Sequence, residues 1–569
     1  MEKYIPPMPG GLLNLVSSGN QDVLLTGNPQ KTFWTSSYKK YTNFGLQNFR
    51  LDFEGLRQMG MSTDTTYTFK IKRYAELLMD MVLVIQLPDI YSPILPPDCS
   101  DTSTWAPYEY KWIKNLGAMM IRNVRFTIGG SLIQTFTGYD MLALANRDLS
   151  TTQKMKWDQM VGNVPELNDP AHAYGRLNSY PNAVYSSTAV SEPSIRGRQL
   201  RIPLPIFWGM NAQQAFPLVC LQYNELQVEV TLRPVRELFQ IRDVLDAANN
   251  YPVVAPNFNI AEYQFYRFLQ TPPNAELTYA SQTTSWNENT HLSCTYCFLS
   301  DDEAKTFAYQ QQDYLFKELH STWFQEVAIS AKVSLPDSTG LVSSWMMLFQ
   351  RSDVATRNEW SNFTNWPYDF LPYDITLLPP LMENSPCNQS YNFNGFEIEA
   401  GTLGYGLNPD GTESGLYSTG DLHLENRRDI LLRMGILLDG IVREEERPAE
   451  MYLYDQQYTA SSGAGSAQLK GFYCYNFCLN TSPYLLQPSG AMNLSKYSKV
   501  ELEFTTIVPT QDVANANFVI ICDPETGVPI ATNKSTFQLY DYMFNFLVIE
   551  ERYNVLTFTG GNAGLMSAR

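Results

Sequence analysis

The sequence predicts an all-β chain of two consecutive sandwiches, on three observations. Apolar and polar residues alternate with period two along stretch after stretch. Two such stretches reverse through Gly-Gly and Asp-Gly, dipeptides whose positive backbone angles suit tight hairpins. The order of elements in the first half then returns in the second, as an internal duplication would leave it.

In chain order, Tyr67, Phe69 and Ile71 face one way and Thr68, Lys70 and Lys72 the other, which makes a strand with one dry face. The most apolar window, Leu77 to Leu87, contains Asp80 and Gln86 and falls short of the ~20 residues that cross a bilayer. Val124, Phe126 and Ile128 alternate with Arg125 and Thr127 before Gly129-Gly130 turns the chain back at Leu132. Ile206-Phe207-Trp208 reads as an aromatic-rich strand and Phe216-Pro217 as the loop after it, followed by Leu226, Val228, Val230 and Leu232 alternating with Gln227, Glu229 and Thr231. The second half repeats this order. Ile436-Leu437-Leu438 turns through Asp439-Gly440 into Ile441-Val442, the aromatic strand is Phe472-Tyr473, the loop runs to Gln487-Pro488, and Val500, Leu502 and Phe504 alternate with Lys499, Glu501, Glu503 and Thr505.

Between the halves, Ser300-Asp301-Asp302-Glu303 reads as a capping box opening a short helix over Ala304 to Tyr309. The expected organisation is an arm 1–26, a first sandwich 27–301, a helical linker 302–313 and a second sandwich 314–569, each half being near the upper limit for one core. Four stretches rich in turn residues, 151–198, 233–290, 351–425 and 455–469, read as long loops. Loops beyond ~15 residues are uncommon unless functional, so these are expected to be contact surfaces, the first three on the outer face. In the arm, Leu12, Leu13, Leu15, Val16, Val23, Leu24 and Leu25 are too apolar for a solvated tail and call for a partner surface.

Composition narrows the function. The chain has 569 residues, with 58 acidic against 40 basic side chains and a net charge of −18. That excess repels phosphate backbones and anionic headgroups, which disfavours direct nucleic-acid binding. The start of the chain lacks the apolar run of a secretory signal, and eight cysteines are too sparse for a disulfide scaffold, so reduced thiols are expected. For the same reason the five sequons, at Asn362, Asn388, Asn480, Asn493 and Asn533, read as chance occurrences.

Catalytic and metal constellations are hard to find. The four histidines, His172, His291, His320 and His423, lack metal-ligand spacing. Cys294 with Cys297 and Cys474 with Cys478 suggest a four-thiolate zinc site, but strand residues three apart point to opposite faces, so buried thiols are the better reading. Phosphate-binding and nucleophile-elbow glycine motifs are missing, and the spacing of Gly401, Gly404, Gly406 and Gly411 fits no dinucleotide motif. Asp301-Asp302 and Glu444-Glu445-Glu446 supply acid pairs, better explained by helix capping and a solvated loop than by glycoside hydrolysis. The expectation is a protein that is not an enzyme, with no catalytic residue, cofactor or metal.

Several segments carry a family resemblance. Gly10-Gly11-Leu12-Leu13-Asn14-Leu15-Val16, Gln21-Asp22-Val23-Leu24-Leu25-Thr26-Gly27-Asn28-Pro29-Gln30, Thr32-Phe33 and Tyr41-Thr42-Asn43-Phe44 are similar to the start of the major capsid proteins of nucleocytoplasmic large DNA viruses. The likeness continues in order through Ile128-Gly129-Gly130, Ala215-Phe216-Pro217-Leu218, Leu221-Gln222-Tyr223-Asn224-Glu225, Phe298-Leu299-Ser300-Asp301-Asp302-Glu303 and Phe307-Ala308. It runs on through Tyr314-Leu315, Gln487-Pro488-Ser489-Gly490, Asn493-Leu494-Ser495 and Tyr553-Asn554-Val555-Leu556, ending at Gly560-Gly561 and Gly564-Leu565.

The resemblance implies two consecutive eight-stranded jelly rolls with long loop insertions and few short helices. It also implies homotrimers forming pseudo-hexagonal capsomers that tile an icosahedral shell over an inner viral membrane, with neighbouring capsomers and minor capsid and penton proteins as partners. The implied location is the virion, with assembly in the host-cell cytoplasm. Gly10, Gly11, Leu12, Leu13, Leu15, Val16, Gly27, Asn28 and Pro29 would form the assembly arm. Departures fall in 233–290 and 351–425. Two other readings stay open: a related minor capsid or scaffold protein, separated by its copy number in virions, and a two-sandwich glycan-processing enzyme, separated by activity on glycans.

Overall fold

The computed structural model describes residues 10–566 apart from 35–37, 56, 97–105, 177–178, 188–190, 247–250, 252 and 275–277. Within 367–427 and 510–541 only the backbones of short strands at 390–391, 397–398, 405–407, 413–417, 520–522 and 529–532 are described. The chain divides into two compact units, Met1–Gly45 and Leu46–Arg569. The first unit contains two short helices, Gly11–Val16 and Val23–Thr26, neither with a buried residue.

Strands of the first sandwich are β1 (Phe44–Leu51), β2 (Thr65–Lys70), β3 (Leu77–Gln86), β4 (Ile121–Ile128), β5 (Ser131–Phe136), β6 (Gln199–Pro203), β7 (Leu226–Leu232) and β8 (His291–Leu299). One sheet runs β1-β8-β3-β6, with the short strand Phe216–Pro217 also on β3, and the other runs β2-β7-β4-β5. In the second sandwich the strands are β9 (Gln312–Val327), β10 (Ser330–Ser334), β11 (Leu341–Arg351), β12 (Leu431–Leu438), β13 (Ile441–Pro448), β14 (Phe472–Asn476), β15 (Val500–Thr506) and β16 (Phe544–Thr559). Its sheets run β9-β16-β11-β14 and β10-β15-β12-β13. Adding eight to each strand number of the first sandwich therefore gives the second. Two antiparallel sheets of eight strands in this order make a jelly roll, and the chain contains two.

Alternation positions the residues as the pleat requires. Tyr67 and Phe69 on β2, Val124 and Phe126 on β4 and Val228 and Val230 on β7 are all sealed inside the first sandwich. Both predicted hairpins form with two left-handed residues, Gly129 (φ +55°) and Gly130 (φ +85°) between β4 and β5, and Asp439 (φ +50°) and Gly440 (φ +79°) between β12 and β13.

One sheet of the second sandwich is apolar on both faces. Trp345, Met347, Phe349, Phe546, Val548, Tyr473 and Tyr475 fill its own sandwich. The alternate residues Met346, Leu348, Leu547, Ile549, Phe472 and Cys474 join the apolar cluster of the first sandwich instead. Burying each such side chain contributes roughly 1.5–3 kcal/mol, so this shared face welds the two halves.

Several expectations need correction. The stretch 138–161 is helical, as α1 (Gly138–Asp148) and α2 (Thr151–Val161), so the loop expected from 151 begins with three turns of helix. Each opens on a formed capping box, Thr137 with Asp140 and Ser150 with Gln153, and α1 is buried along its whole length, which erases the polar face that periodicity looks for. Phe207–Met210 is a short helical turn, not a strand. A helix does span Asp301–Tyr309 (α3), but the Ser300 side chain makes no cap hydrogen bond.

Part of the long loop 233–290 packs inward. Phe239, Phe265 and Phe268 pack with Tyr108, Tyr110 and Trp112 into an aromatic extension of the first core, with Tyr110 stacked on Phe239 at 4.5 Å. Residues 455–469 continue a π-helical turn, Met451–Asp455, into a helix, Gln456–Ala460, packed against β14. Of 351–425, residues 351–366 pack inward and the remainder lies outside the described side chains.

Candidate functional site

The seam between the sandwiches is where the chain invests its buried charge. Strand β16 carries Glu550, Glu551 and Arg552 in succession, all buried. Alternation sends Glu550 into its own sandwich, where Trp345 Nε1 (2.9 Å), the Ser338 hydroxyl and Arg552 donate to it. Glu551 points the other way, to the first sandwich.

There α1 ends in Arg147-Asp148. Arg147 donates to Glu551 Oε1 (2.9 Å), to Asp148 Oδ2 (2.7 Å) and to the Ser344 hydroxyl (2.8 Å), and it is fully buried. Lys317 on β9 donates to Glu551 Oε2 (3.1 Å) and to the Thr481 carbonyl (3.0 Å). Ser343 (2.8 Å) and Ser344 (3.1 Å) also donate to Glu551, and the Thr481 hydroxyl closes on Asp148 (2.8 Å). Two cations meet two carboxylates, so the cluster is neutral and every charge has a partner. Burial alone would raise the Glu551 carboxyl, but Arg147 and then Lys317 hold it down at about 2, while burial leaves the Asp148 carboxyl raised.

Around this cluster the contact is broad. Ser321 on β9 donates to Asp140 of α1 (2.5 Å), Gln214 to the Leu315 carbonyl (2.6 Å) and Asn211 to the Tyr484 carbonyl (2.7 Å). Phe207 stacks on Phe316 at 4.5 Å, and Tyr139 meets Trp323 edge-on at 5.3 Å. Farther along, Gln240 donates to Glu359 (2.7 Å), Asn358 to the Phe239 carbonyl (2.9 Å) and Trp360 to the Glu237 carbonyl (2.9 Å). Close beside them Asp353, bound by Arg351 (2.6 Å) and Arg357 (3.0 Å), is held well below the usual carboxylate range. Arginine and carboxylate pairs this deeply buried fix geometry more than they add net stability.

The corresponding surfaces at the other ends are open. On β1, Leu46, Asn48 and Arg50 are exposed where the equivalent β9 is covered, and Asn48 accepts from Ser293 (2.8 Å) on β8, with Arg201 of β6 alongside. On the second sandwich, edge strand β13 is exposed along nearly its whole length, and Ile441, Val442, Tyr454 and Tyr458 project outward, Tyr458 to 91%. In the first sandwich the equivalents, β5 and the start of α1, are what β9 packs against.

The residues singled out from sequence fall as follows. Gly10 precedes the helix Gly11–Val16, on which Leu12, Leu13, Leu15 and Val16 are each more than half exposed. Gly27 ends the second short helix, Asn28 follows with a left-handed φ of +51°, and Pro29 is exposed. Cys294 and Cys297 are buried in separate apolar clusters, and burial pushes the Cys294 and Cys474 thiols well up and Cys220 to about 11. Among the described residues no group of three or more His, Cys, Asp and Glu is arranged to hold a metal. Sequon Asn362 is buried and donates to the Trp366 carbonyl (2.9 Å), Asn480 and Asn493 are exposed, and the other two lie outside the described residues. Sequence reasoning missed the Arg147-Asp148 and Glu551 cluster. Its only signal was a charged triplet inside an otherwise apolar strand.

Comparison with known proteins agrees with this architecture. Residues 32–270 match the family described as major capsid protein N-terminus. The chain is 25% identical over 530 residues to the major capsid protein of Phaeocystis pouchetii virus, covering 87% of this chain and 92% of that one. Along most of its length the chain is similar to major capsid proteins of nucleocytoplasmic large DNA viruses. The major capsid protein of Paramecium bursaria Chlorella virus 1 is 24% identical over 569 residues, covering 99% of this chain and 100% of the other. Among solved structures, the Faustovirus major capsid protein superposes with a TM-score of 0.59 at 13% identity, over 95% of this chain and 94% of that one. A chain of the PBCV-1 virus capsid superposes with a TM-score of 0.56 at 17% identity, over 95% and 100%. The double jelly roll is thus the family fold, and the relatives named here are structural proteins, not enzymes.

Proposed function

We propose that three copies of this major capsid protein close into a ring of six sandwiches, a pseudo-hexagonal capsomer that tiles an icosahedral shell. The observation that carries this is the mismatch between covered and open surfaces. Within one chain, the outer face of the β9-β16-β11-β14 sheet is sealed against β5 and α1 of the first sandwich. On the equivalent sheet the flanking strands β1 and β6 present exposed residues, Leu46, Asn48, Arg50 and Arg201, and the equivalent docking edge, β13 with Tyr454 and Tyr458, is open as well. Each chain therefore has one seam made and one half-seam at either end. Repeating the same contact between subunits is a heterologous association, which closes when the rotation permits. An assembly of this kind buries well over ~2,000 Å².

The division into an arm 1–26, jelly rolls 27–301 and 314–569 and a linker 302–313 belongs to the same proposal. Exposed Leu12, Leu13, Leu15 and Val16 give the arm, Gly10 to Pro29, an apolar surface to lay against a neighbouring capsomer, a minor capsid or penton protein, or the inner face above the viral membrane. Assembly takes place in the host-cell cytoplasm and involves no direct nucleic-acid contact, in keeping with the net charge of −18. Native mass spectrometry tests the core of this reading: the expected species is three times 64.8 kDa. A lone monomer at micromolar concentration contradicts it. Removal of residues 1–22 is expected to leave that trimer intact and to impair shell assembly.

A further inference from the structure

A cavity of about 330 Å³ lies where the insertions of the two sandwiches meet, and its wall is basic in an acidic protein. The first sandwich contributes Lys114, Asn146, Lys154 and Asp158, and the second contributes Arg428 and Lys470. Cations outnumber carboxylates four to one among the described lining residues. Asp158 is turned to its own neighbours, accepting from Lys154 Nζ (2.5 Å) and Asn163 (3.0 Å). Lys154 itself is a built element: its side chain is only 5% exposed, and its ammonium lies 4.7 Å from the centre of the Trp157 ring. Behind the wall, burial and, against the pull of Glu359, the Lys114 charge push the Lys111 ammonium below its ordinary range. A chain with a net charge of −18 concentrates positive potential here, and clefts lined by one sign of charge focus the field on a counter-ion.

We propose that this cavity binds a compact polyphosphate anion, either inorganic or the phosphate tail of a nucleotide, and that the ligand ties the two insertions together. Several adjacent negative charges match a wall with a net excess of three cations better than one does, and lysine and arginine donors give charge-assisted hydrogen bonds to phosphate oxygens. The volume stands at the small end of ligand cavities, about 300–1,000 Å³, which suits a short phosphate chain and excludes a duplex. Because its wall draws on both sandwiches, a ligand that binds only the folded chain raises the thermal midpoint.

Titration calorimetry of the full-length protein with sodium tripolyphosphate tests this. The expected result is saturable binding of one anion per chain with a dissociation constant in the micromolar range, weakening at high salt as screening predicts. The double variant K114Q/K470Q is expected to lose at least about tenfold in affinity, while K114R/K470R stays within about threefold, because charge is retained. The ligand-free thermal midpoint of each variant serves as the folding control. Competition by ATP assigns recognition to the phosphate tail, and tripolyphosphate binding without ATP competition assigns it to free polyphosphate. No saturable binding below 1 mM, equal affinity for sulfate and tripolyphosphate, or unchanged affinity in K114Q/K470Q overturns the proposal.

Discussion

The two jelly rolls share one strand order and differ in what covers the same sheet. In the second, Met346, Leu348, Leu547 and Ile549 make the outer face apolar, and the first sandwich covers it. In the first, Leu46, Asn48, Arg50 and Arg201 stay exposed on the flanking strands β1 and β6. A duplicated fold thus acquires its directionality from residues at alternate positions on a few strands, because moving polarity from one pleat face to the other changes a core into a surface. The charged residues follow the same division: Arg147 has 0% side-chain exposure and Arg50, paired with Asp52, has 50%.

That contrast can be broken most severely at Arg147. Arg147→Met leaves Asp148 without a cation and Glu551 with Lys317 as its one cation, a loss of roughly 3–5 kcal/mol, whereas Arg50→Met costs less than about 1 kcal/mol. Urea unfolding of the two variants measures the difference. Acid sharpens the same comparison. The folded-state carboxyl of Glu551 titrates at about 2 against an ordinary 4.5, so its contribution is complete above about pH 4.5 and is lost as pH falls toward 2. Asp140 and Asp148, raised by burial, respond in the opposite sense, so the clean readout is the difference between wild type and Glu551→Gln, whose stability falls less steeply over that interval.

The open edge supplies the next test. Tyr454→Glu with Tyr458→Glu places charge on surfaces that are exposed in the monomer, so the chain stays folded while subunit association weakens by at least about 2 kcal/mol, the scale of an interfacial tyrosine. Sedimentation at graded concentration reads this. The smallest effect compares the two hairpins. Gly130 (φ +85°) and Gly440 (φ +79°) have open space where a Cβ would stand, so Gly130→Ala and Gly440→Ala each cost about 1 kcal/mol from backbone strain alone. Unequal losses in thermal unfolding would show that the duplicated turns are not equivalent.

The strands were legible because each sandwich has one dry face, and Tyr67, Phe126 and Val228 sit where their alternation puts them. The helix α1 was not, because a segment buried all round has no amphipathic signature, although its capping pair Thr137 and Asp140 was readable. The aromatic core around Tyr110 and Phe239 was hidden by the prolines and asparagines of the insertion that carries it. The seam was invisible for a different reason: Arg147 and Glu551 stand 404 positions apart, and only the folded pair of sandwiches brings them to 2.9 Å. The open half-seams were foreseeable only as long apolar or charged surface stretches, such as Ile441-Val442 followed by Glu444-Glu445-Glu446.

Photo-crosslinking from the open face tests the ring most directly. Benzoylphenylalanine introduced in place of Asn48 on β1 reports, through the identity of the cross-linked peptide, which surface covers that face in the assembled protein. The account predicts inter-subunit cross-links to peptides within 441–460 of another copy. Cross-links confined to the same chain, or inter-subunit cross-links that consistently fall elsewhere, would contradict it.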